Sequence, residues 1–408
     1  MSWGLFWHSL LTGLIPQSLF FLFILSPFVL GWLAWFIWLR YIQAVFLKKQ
    51  EWILLEIKVP KEITKSPQAM EIVLGAFHQT RDGTFYSKFV EGLCRSWFSL
   101  EIVSRGGSIH FYVWTQKFFK NLIESQIYSQ YPNVEIYEVD DYTREMPYGL
   151  PGSDWDLWGC NFTFTKEDAY PIKTYVDYGM DKDPKEEYKI DPITPVIEFL
   201  GSVRPGEEIW IQILIMAARK RFRKKGSWFK KVDWKGDAEK LLEKLLKRDK
   251  KKKNGDKLDL GEFGLSSGER KAIEAVERNI SKLGFDCGIR AVYLAKKDIF
   301  NPINIVGLLS TIKQYNSLNL NGFKPTKTTG FEYPWQDPFK IRLPAMKWST
   351  FDAYRRRAYF YPPYQSKPIT LNAEELATIY HFPGQVAETP TLGHIESRRG
   401  EPPVNLPL

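Results

Sequence analysis

Cysteine and histidine are scarce in this chain, with three and five among 408 residues. Cys94, Cys160 and Cys287 lie far apart and form no Cys-x-x-Cys pair. That excludes a disulfide framework and a cysteine zinc site, and it fits a reducing compartment. The histidines are scattered too, so neither a metal nor any other cofactor is expected. Phosphate-binding signatures are missing: no Gly-x4-Gly-Lys-Ser/Thr occurs, and the nearest stretch, "GLSSGERKA" around Lys271, has the wrong glycine spacing. There is no Gly-x-Ser-x-Gly elbow and no His-Glu-x-x-His. Ordinary turn chemistry accounts for the acidic pairs Asp140/Asp141 and Asp154/Asp156. An enzyme reading has no residues to stand on, and a non-catalytic protein is expected.

Charge is missing from one region altogether. No Asp, Glu, Lys or Arg precedes Arg40, and "LFFLFILSPFVLGWLAWFIWL" runs from Leu19 to Leu39. At about 1.5 Å per residue such a run spans roughly 30 Å, the hydrocarbon thickness of a bilayer. Trp32, Trp35 and Trp38 near one end suit a membrane interface. A cleavable signal peptide would want a basic start and a small-residue cleavage site, which "MSWGLFWHSLLTGLIPQS" does not offer. Residues 1–50 are expected to form a retained single-pass anchor, with a helical hairpin as the alternative. Arg40, Lys48 and Lys49 follow the span, so the amino terminus is expected outside and the rest of the chain in the cytoplasm.

Hydrophobic residues at 44% and charged residues at 25% require a folded remainder. In residues 51–150 the hydrophobic period alternates. "LLEIKVP" puts Leu55, Ile57 and Val59 on one strand face, and a helix follows from Ser66 and Pro67 with Met70, Val73, Leu74 and Phe77 as its stripe. "FSLEIVS" and "SIHFYVWT" form a hairpin through Arg105-Gly106-Gly107. A second helix carries Phe119, Leu122, Ile123 and Ile127, and "VEIYEV" closes a βαββαβ, ferredoxin-like order. The sheet face away from the helices would show Glu56, Lys58, Glu101, His110, Tyr112 and Trp114. Aromatics on such a face stack bases in one class of RNA-binding modules, but no RNP-like signature accompanies them here. His110, Tyr112 and Trp114 are therefore candidate interface residues facing a second domain.

Residues 151–323 read as a second α+β sandwich, plausible as a diverged copy of the first. "IWIQILIM" is apolar on both faces, as a central strand must be. A helix with Ala272, Ile273, Val276 and Ile280 precedes the strand "CGIRAVYLA", and Asn301-Pro302 opens another helix. A basic insertion, 219–257, interrupts this unit. From Arg219 to Lys253 it carries net charge +12, so the rest of the chain is slightly acidic within a total of +9. Lys220, Arg221, Arg223, Lys224, Lys225, Lys250, Lys251, Lys252 and Lys253 are candidate contacts for anionic lipid or DNA, both of which reward clustered cations. A merely solvated insertion is the alternative.

Residues 324–408 hold 12 of the 25 prolines when counted with the three residues before them, and they read as an extended, wrapping tail. Asn372 and Glu375 promise one short capped helix within it. The final "SRRGEPPVNLPL" reads as a linker.

Five stretches in this order carry a family resemblance: "EWILLEIKVPKEITKSPQAMEIVLGAFH", "WFSLEIVSRGGSIHFYVWT", "IESQIYSQYPNVEIYEVDDYT", "EEIWIQILIMAAR" and "LNAEELATIYHFPG" with its "RRGEPPVNLP" continuation. Together they resemble the membrane-anchored N-terminal region of prokaryotic conjugative, type IV secretion-like DNA-transfer ATPases. In such relatives the tail leads into a RecA-like motor, whose nucleotide-binding residues have no counterpart here. The resemblance implies a scaffold subunit in the cytoplasmic (inner) membrane that positions a separate RecA-like ATPase and is able to form homo-oligomers. A membrane-tethered nucleic-acid-binding module acting through the basic insertion is the alternative.

The sequence predicts that reporter fusions after Lys49 and at the carboxyl terminus both read cytoplasmic. An external signal from either would overturn the single-pass topology.

Overall fold

A computed structural model of the protein describes residues 15–60, 65–149, 152–180, 190–219, 222–223, 231–232, 234–236, 238–243, 267–331 and 333–384. The chain divides into two compact units, Met1–Glu51 with Arg81–Arg95, and Trp52–Thr80 with Ser96–Leu408.

The first unit is built on α1 (Ile15–Lys48), which contains the expected span and has Pro27 inside it. Its stretch Phe23–Lys48 is, among the described residues, one helix long and apolar enough to cross a membrane. Phe23, Phe28 and Trp32 are 79%, 73% and 67% exposed. Such a surface is consistent with a single-pass anchor or a signal sequence. A short helix, α3 (Phe85–Phe89), belongs to the same unit.

The second unit begins with β1 (Trp52–Lys58), α2 (Pro67–Ala76), β2 (Phe98–Arg105), β3 (Ser108–Gln116), α4 (Lys120–Gln130) and β4 (Glu135–Val139). The expected βαββαβ order is present, and the strands lie β2-β3-β1-β4 with every pair antiparallel. Gly106 and Gly107 close the β2–β3 hairpin with φ of 58° and 92°. Two successive positive φ values match the tight turn that follows strand twist, and only glycine adopts them at little cost. Pro67 starts α2 as expected, although the Ser66 side chain makes no capping bond.

The same order then repeats as β5 (Trp155–Phe164), α5 (Thr194–Gly201), β6 (Glu207–Ala217), β9 (Gly284–Lys296), α7 (Pro302–Lys313) and β10 (Phe323–Thr326). Its strands lie β10-β5-β9-β6, the arrangement of the first half. Between β6 and β9 stand β7 (Phe222–Arg223), β8 (Lys231–Val232) and α6 (Ser267–Ser281).

The expectation of two separate sandwiches is corrected here. Strand β2 pairs antiparallel with β6 over eight positions, from Phe98↔Ile215 to Arg105↔Glu208, so the halves share one continuous sheet. With β11 (Ile369–Asn372) paired to the start of β9, the sheet has nine strands. The cause lies in composition. Both β2 and β6 have a largely apolar middle and are buried along nearly their whole length, and either one left as an edge would expose unpaired backbone. One face of this sheet, with Leu55, Ile102, Phe111, Ile211 and Ala291, packs in a single core with helix residues such as Leu74, Ile127, Leu200 and Leu308.

Residues 324–384 are not the extended tail the prolines suggested. They form the end of β10, α8 (Arg342–Arg355), β11 and α9 (Ala373–Ile379). Phe351, Tyr354, Leu376, Tyr380 and Phe382 are at most 1% exposed. Pro344 sits in the first turn of α8, and Pro362, Pro363 and Pro368 lie in the connection to β11, so the prolines bound the elements without breaking them. Residues 385–408, including the linker-like end, lie outside the described residues.

The capping box read from Asn372 and Glu375 is present at α9: Glu375 N–H donates to Asn372 Oδ1 at 2.7 Å, and Asn372 N–H to Glu375 Oε2 at 2.8 Å. Ile172 N–H also donates to Glu375 Oε1 at 2.9 Å. Burial pushes the Glu375 carboxyl up to about 8, against the pull of the Asn372 and Ile172 donors. The folded protein thus holds this proton more tightly than the unfolded chain. The resulting stability is complete below the ordinary value of 4.5 and is lost as pH rises through about 8. Thermal or denaturant unfolding between pH 5 and 8.5 should therefore show wild type losing stability relative to Glu375→Gln, by at most about 1.4 kcal/mol per pH unit. Parallel curves would refute it.

Candidate functional site: a polar row beneath a helix, and a lysine-lined cleft

Three central strands carry a charged or amide side chain inside a largely apolar run: Glu101 in "FSLEIVS", Gln212 in "IWIQILIM" and Arg290 in "CGIRAVYLA". Strand pairing aligns them. On the face away from the α2, α4, α5 and α7 core, one row crosses the whole sheet as Tyr137, Glu56, Tyr112, Glu101, Gln212, Arg290, Asn161 and Thr326. Directly opposed residues of antiparallel strands share a face, so these side chains are neighbours.

At its centre Glu101 is 0% exposed and its two oxygens receive five donors. Ser99 Oγ (2.7 Å), Gln212 Nε2 (3.0 Å) and Arg357 Nε (3.0 Å) donate to Oε1, while Tyr142 Oη (2.9 Å) and Arg357 Nη2 (3.1 Å) donate to Oε2. Arg357 also binds Asp141 through Nη1 and, at 3.0 Å, through Nη2. Burial works against the Arg357 charge, but the Glu101 and Asp141 carboxylates override it and hold the guanidinium well above its ordinary value. Asp141 is held below the usual carboxylate range: burial would raise it, and Arg357 more than compensates.

The second arginine is bound differently. Arg290 donates to Gln212 Oε1 at 3.0 Å, Asn161 Oδ1 at 3.2 Å and the Ala358 carbonyl at 3.1 Å, all neutral acceptors. Burial brings its guanidinium down to about 10, with Tyr359, Tyr354 and Glu101 pulling the other way. Gln212 therefore links the carboxylate to this arginine, one half of its amide facing each.

Arg357 arrives from α8, which lies on this face. Phe351 and Tyr354 of α8 stand 6.3 and 5.2 Å from the Trp210 ring. The helix ends in a Schellman arrangement, with Ala358 N–H donating to the Ala353 carbonyl at 3.0 Å and Arg357 N–H to the Tyr354 carbonyl at 2.9 Å. The pivot of that motif is normally glycine, but here it is Arg357 with φ of 49°. The left-handed conformation costs a non-glycine residue about 1–2 kcal/mol. Its bonds to the buried Glu101 and the partly buried Asp141 carboxylates offset that cost.

The three candidate interface residues lie on this same covered face. Tyr112 and Trp114 are buried, with Tyr112 stacked on Tyr142 at 4.9 Å and Trp114 on Trp52 at 3.9 Å. His110 is half-buried, its Nδ1 2.7 Å from Glu56 Oε1, and that hydrogen bond holds the Glu56 carboxyl below its ordinary value against burial. Arg357, from the segment after α8, stands over both the Trp114 and the Tyr142 rings, at 5.7 and 5.8 Å. Asp141, first read as turn chemistry, does cap a turn by accepting from Thr143 N–H at 3.1 Å, and it serves Arg357 as well. Arg357 escaped the sequence reading because it stands 256 residues from Glu101. The charged or amide side chain inside the apolar run of each of three strands was the available signal.

Of the candidate basic contacts, Lys220, Arg221, Lys224, Lys225, Lys250, Lys251, Lys252 and Lys253 lie outside the described residues, and Arg223 belongs to β7. The described part of the insertion borders a cavity of ≈ 930 Å³, where Trp234, Lys240 and Leu241 face Lys166, Lys324 and Lys367. Four lysines against Glu167 and Asp168 make this cleft cationic. It opens where β5 ends, at Phe164. Strand pairing sets that end beside the start of β9 and the end of β6, which is the sheet end where β1 begins at Trp52 and β2 at Phe98.

The polar row has no spare bonding capacity at Glu101, so its chemistry is to hold the segment after α8 on the sheet. Replacing Arg357 by Ala would leave the buried Glu101 and the partly buried Asp141 without their cation, at a cost of about 3–5 kcal/mol near neutral pH. The contribution of Asp141 is present above its ordinary value of 3.8 and is lost as pH falls through the lowered folded value. Chemical denaturation should accordingly show the Arg357→Ala deficit shrinking below pH 4, and an undiminished deficit there would refute the assignment.

A search among curated proteins finds no match to this chain. Residues 42–393, from the last turns of α1 through the sheet and its covering helices, match the family model DUF8128, described as a domain of unknown function. The chain belongs to the DUF8128 family.

Proposed function

We propose that this chain is a non-catalytic, membrane-anchored assembly subunit of a conjugation-like or type IV secretion-like DNA-transfer complex, working beside a separate RecA-like ATPase. The observation that carries the reading is α1, whose 26-residue stretch from Phe23 to Lys48 is long and apolar enough to cross a membrane and contains an 18-residue window with no buried residue. In this reading α1 spans the cytoplasmic membrane of a prokaryote with its amino terminus outside. The two βαββαβ runs act as a duplicated ferredoxin-like platform in the cytoplasm. The saturated bonding of Glu101 and the stacked aromatics around it support a holding role. The motor partner comes from the sequence resemblance.

One observation favours a second reading. The cleft of Lys166, Lys240, Lys324 and Lys367 lies beside the basic insertion and would suit a nucleic-acid backbone in a membrane-tethered binding module. The same cations would also suit anionic headgroups, which reward clustered lysines in the same way.

Full-length protein in nanodiscs should retain a RecA-like ATPase encoded beside it on affinity resin. The combined change Lys166→Glu, Lys324→Glu and Lys367→Glu should leave that pairing intact while weakening attachment of the soluble part to anionic vesicles. Steeply salt-dependent DNA binding, abolished by the same triple change and unaccompanied by any ATPase, would shift the conclusion to the nucleic-acid module.

A further inference from the structure

The segment Arg81–Arg95 is a loop closed on itself and seated on α1. Its ends meet where Arg95, 8% exposed, donates through Nε to Asp82 Oδ1 at 3.0 Å. Thr84 caps the single turn of α3, its Oγ1 accepting from Ser87 N–H at 3.2 Å. Compact loops with joined ends hold their own side chains in place.

Three contacts fix the loop to one face of α1. The Trp38 indole N–H donates to the Phe89 carbonyl at 3.1 Å, and the Trp35 ring stacks on the Phe89 ring at 5.7 Å. Gly92, with φ of 73°, lies so close to the helix that a Cβ there would come within 2.4 Å of the Ile42 carbonyl oxygen. Trp35, Trp38 and Ile42 are one helix face at i, i+3 and i+7, so the loop covers about 10 Å of helix length. That length begins in the last apolar turns and ends just beyond Arg40, whose guanidinium lies 4.2 Å from the Phe36 ring.

Having used Phe89 to grip the helix, the loop leaves Phe85, Tyr86 and Val90 facing outward. Phe85 is 73% exposed, Tyr86 61% and Val90 47%. Phe85 packs on Phe89 at 4.4 Å, so the aromatic surface runs without a break from Trp35 through Phe89 to Phe85. We infer that Phe85, Tyr86 and Val90 enter the headgroup and acyl boundary of the same bilayer that α1 spans, giving the anchor a second, interfacial foot. Aromatic residues favour that zone because it accepts an apolar body and a polar tip together. Lys88, with its side chain 42% exposed, is placed to meet phosphate oxygens at the same level. The inference rests on the reading of α1 as a span.

The test uses full-length protein reconstituted into phosphatidylethanolamine and phosphatidylglycerol vesicles. Single environment-sensitive labels are placed at Phe85→Cys, Tyr86→Cys, Phe28→Cys in the span, and Ile303→Cys as an aqueous reference, since Ile303 is 62% exposed beside Glu207, at the sheet end away from the lysine cleft, and the three native cysteines are buried. Labels at 85 and 86 should lose most of their emission to lipids carrying a nitroxide near the headgroup, while the label at 303 keeps it. If 28 is quenched by deep nitroxides but 85 and 86 behave like 303, the foot is refuted and the span stands. If 28 also behaves like 303, the span reading itself fails and the foot falls with it. As a second readout, Phe85→Ser with Tyr86→Ser should make the adjoining Lys88 bond newly accessible to trypsin in vesicles, and unchanged cleavage would refute the foot independently of any label.

Discussion

A carboxylate buried in the middle of a sheet must find its donors inside the protein, and Glu101 finds them on β2, on β6, in the turn after β4 and just beyond α8. Left unpaired at 0% exposure, such a charge would cost several kcal/mol. The four elements are far apart in the chain and are held together by having to supply it. Arg357 shows how strong the demand is, since it occupies a position that would suit glycine, and the local strain is accepted because no other side chain reaches both Glu101 and Asp141.

The same demand specifies register. The row next to the polar one, with Ile57, Phe111, Ile102, Ile211, Ala291 and Cys160, faces the helices and is wholly apolar. A slip of one residue in any strand would send its polar member into that core and an apolar one beneath α8. The β2–β6 junction has most need of such a device. Its two strands have no short turn between them, and each is apolar enough to pair in several registers. Glu101 opposite Gln212, with Arg290 beyond, leaves one register in which every group is bonded.

How much of this was legible follows from the range of each interaction. The β and α order, the Gly106-Gly107 hairpin and the Asn372–Glu375 capping box depend on residues within a few positions of each other, and the sequence displays them directly. The shared sheet was half visible: "IWIQILIM" announces a central strand, but nothing local names β2 as its partner. The stretch 324–384 was misread because prolines were counted without asking where they fall. Those around α8 and β11 mark boundaries, and the buried Phe351, Tyr354 and Leu371 between them belong to a core. Arg357 sits in "YRRRAYF", where three adjacent arginines look like a solvated run and only the fold separates the third from its neighbours.

The antiparallel β2–β6 pairing also decides where the insertion can lie. Each of these strands holds the same place in its half, so equivalent connections of the two halves leave the sheet at opposite ends. The β2–β3 connection leaves beside Arg105, opposite Glu208, and is closed by two glycines. Its counterpart, between β6 and β9, leaves beside Ala217, at the end where Phe98 and Trp52 begin their strands. Of two topologically equivalent sites, the basic insertion occupies the one beside Ala217, and the lysine-lined cleft opens at that end of the sheet as well. An insertion of the same composition in the first hairpin would have placed its net charge of +12 at the far end of the sheet.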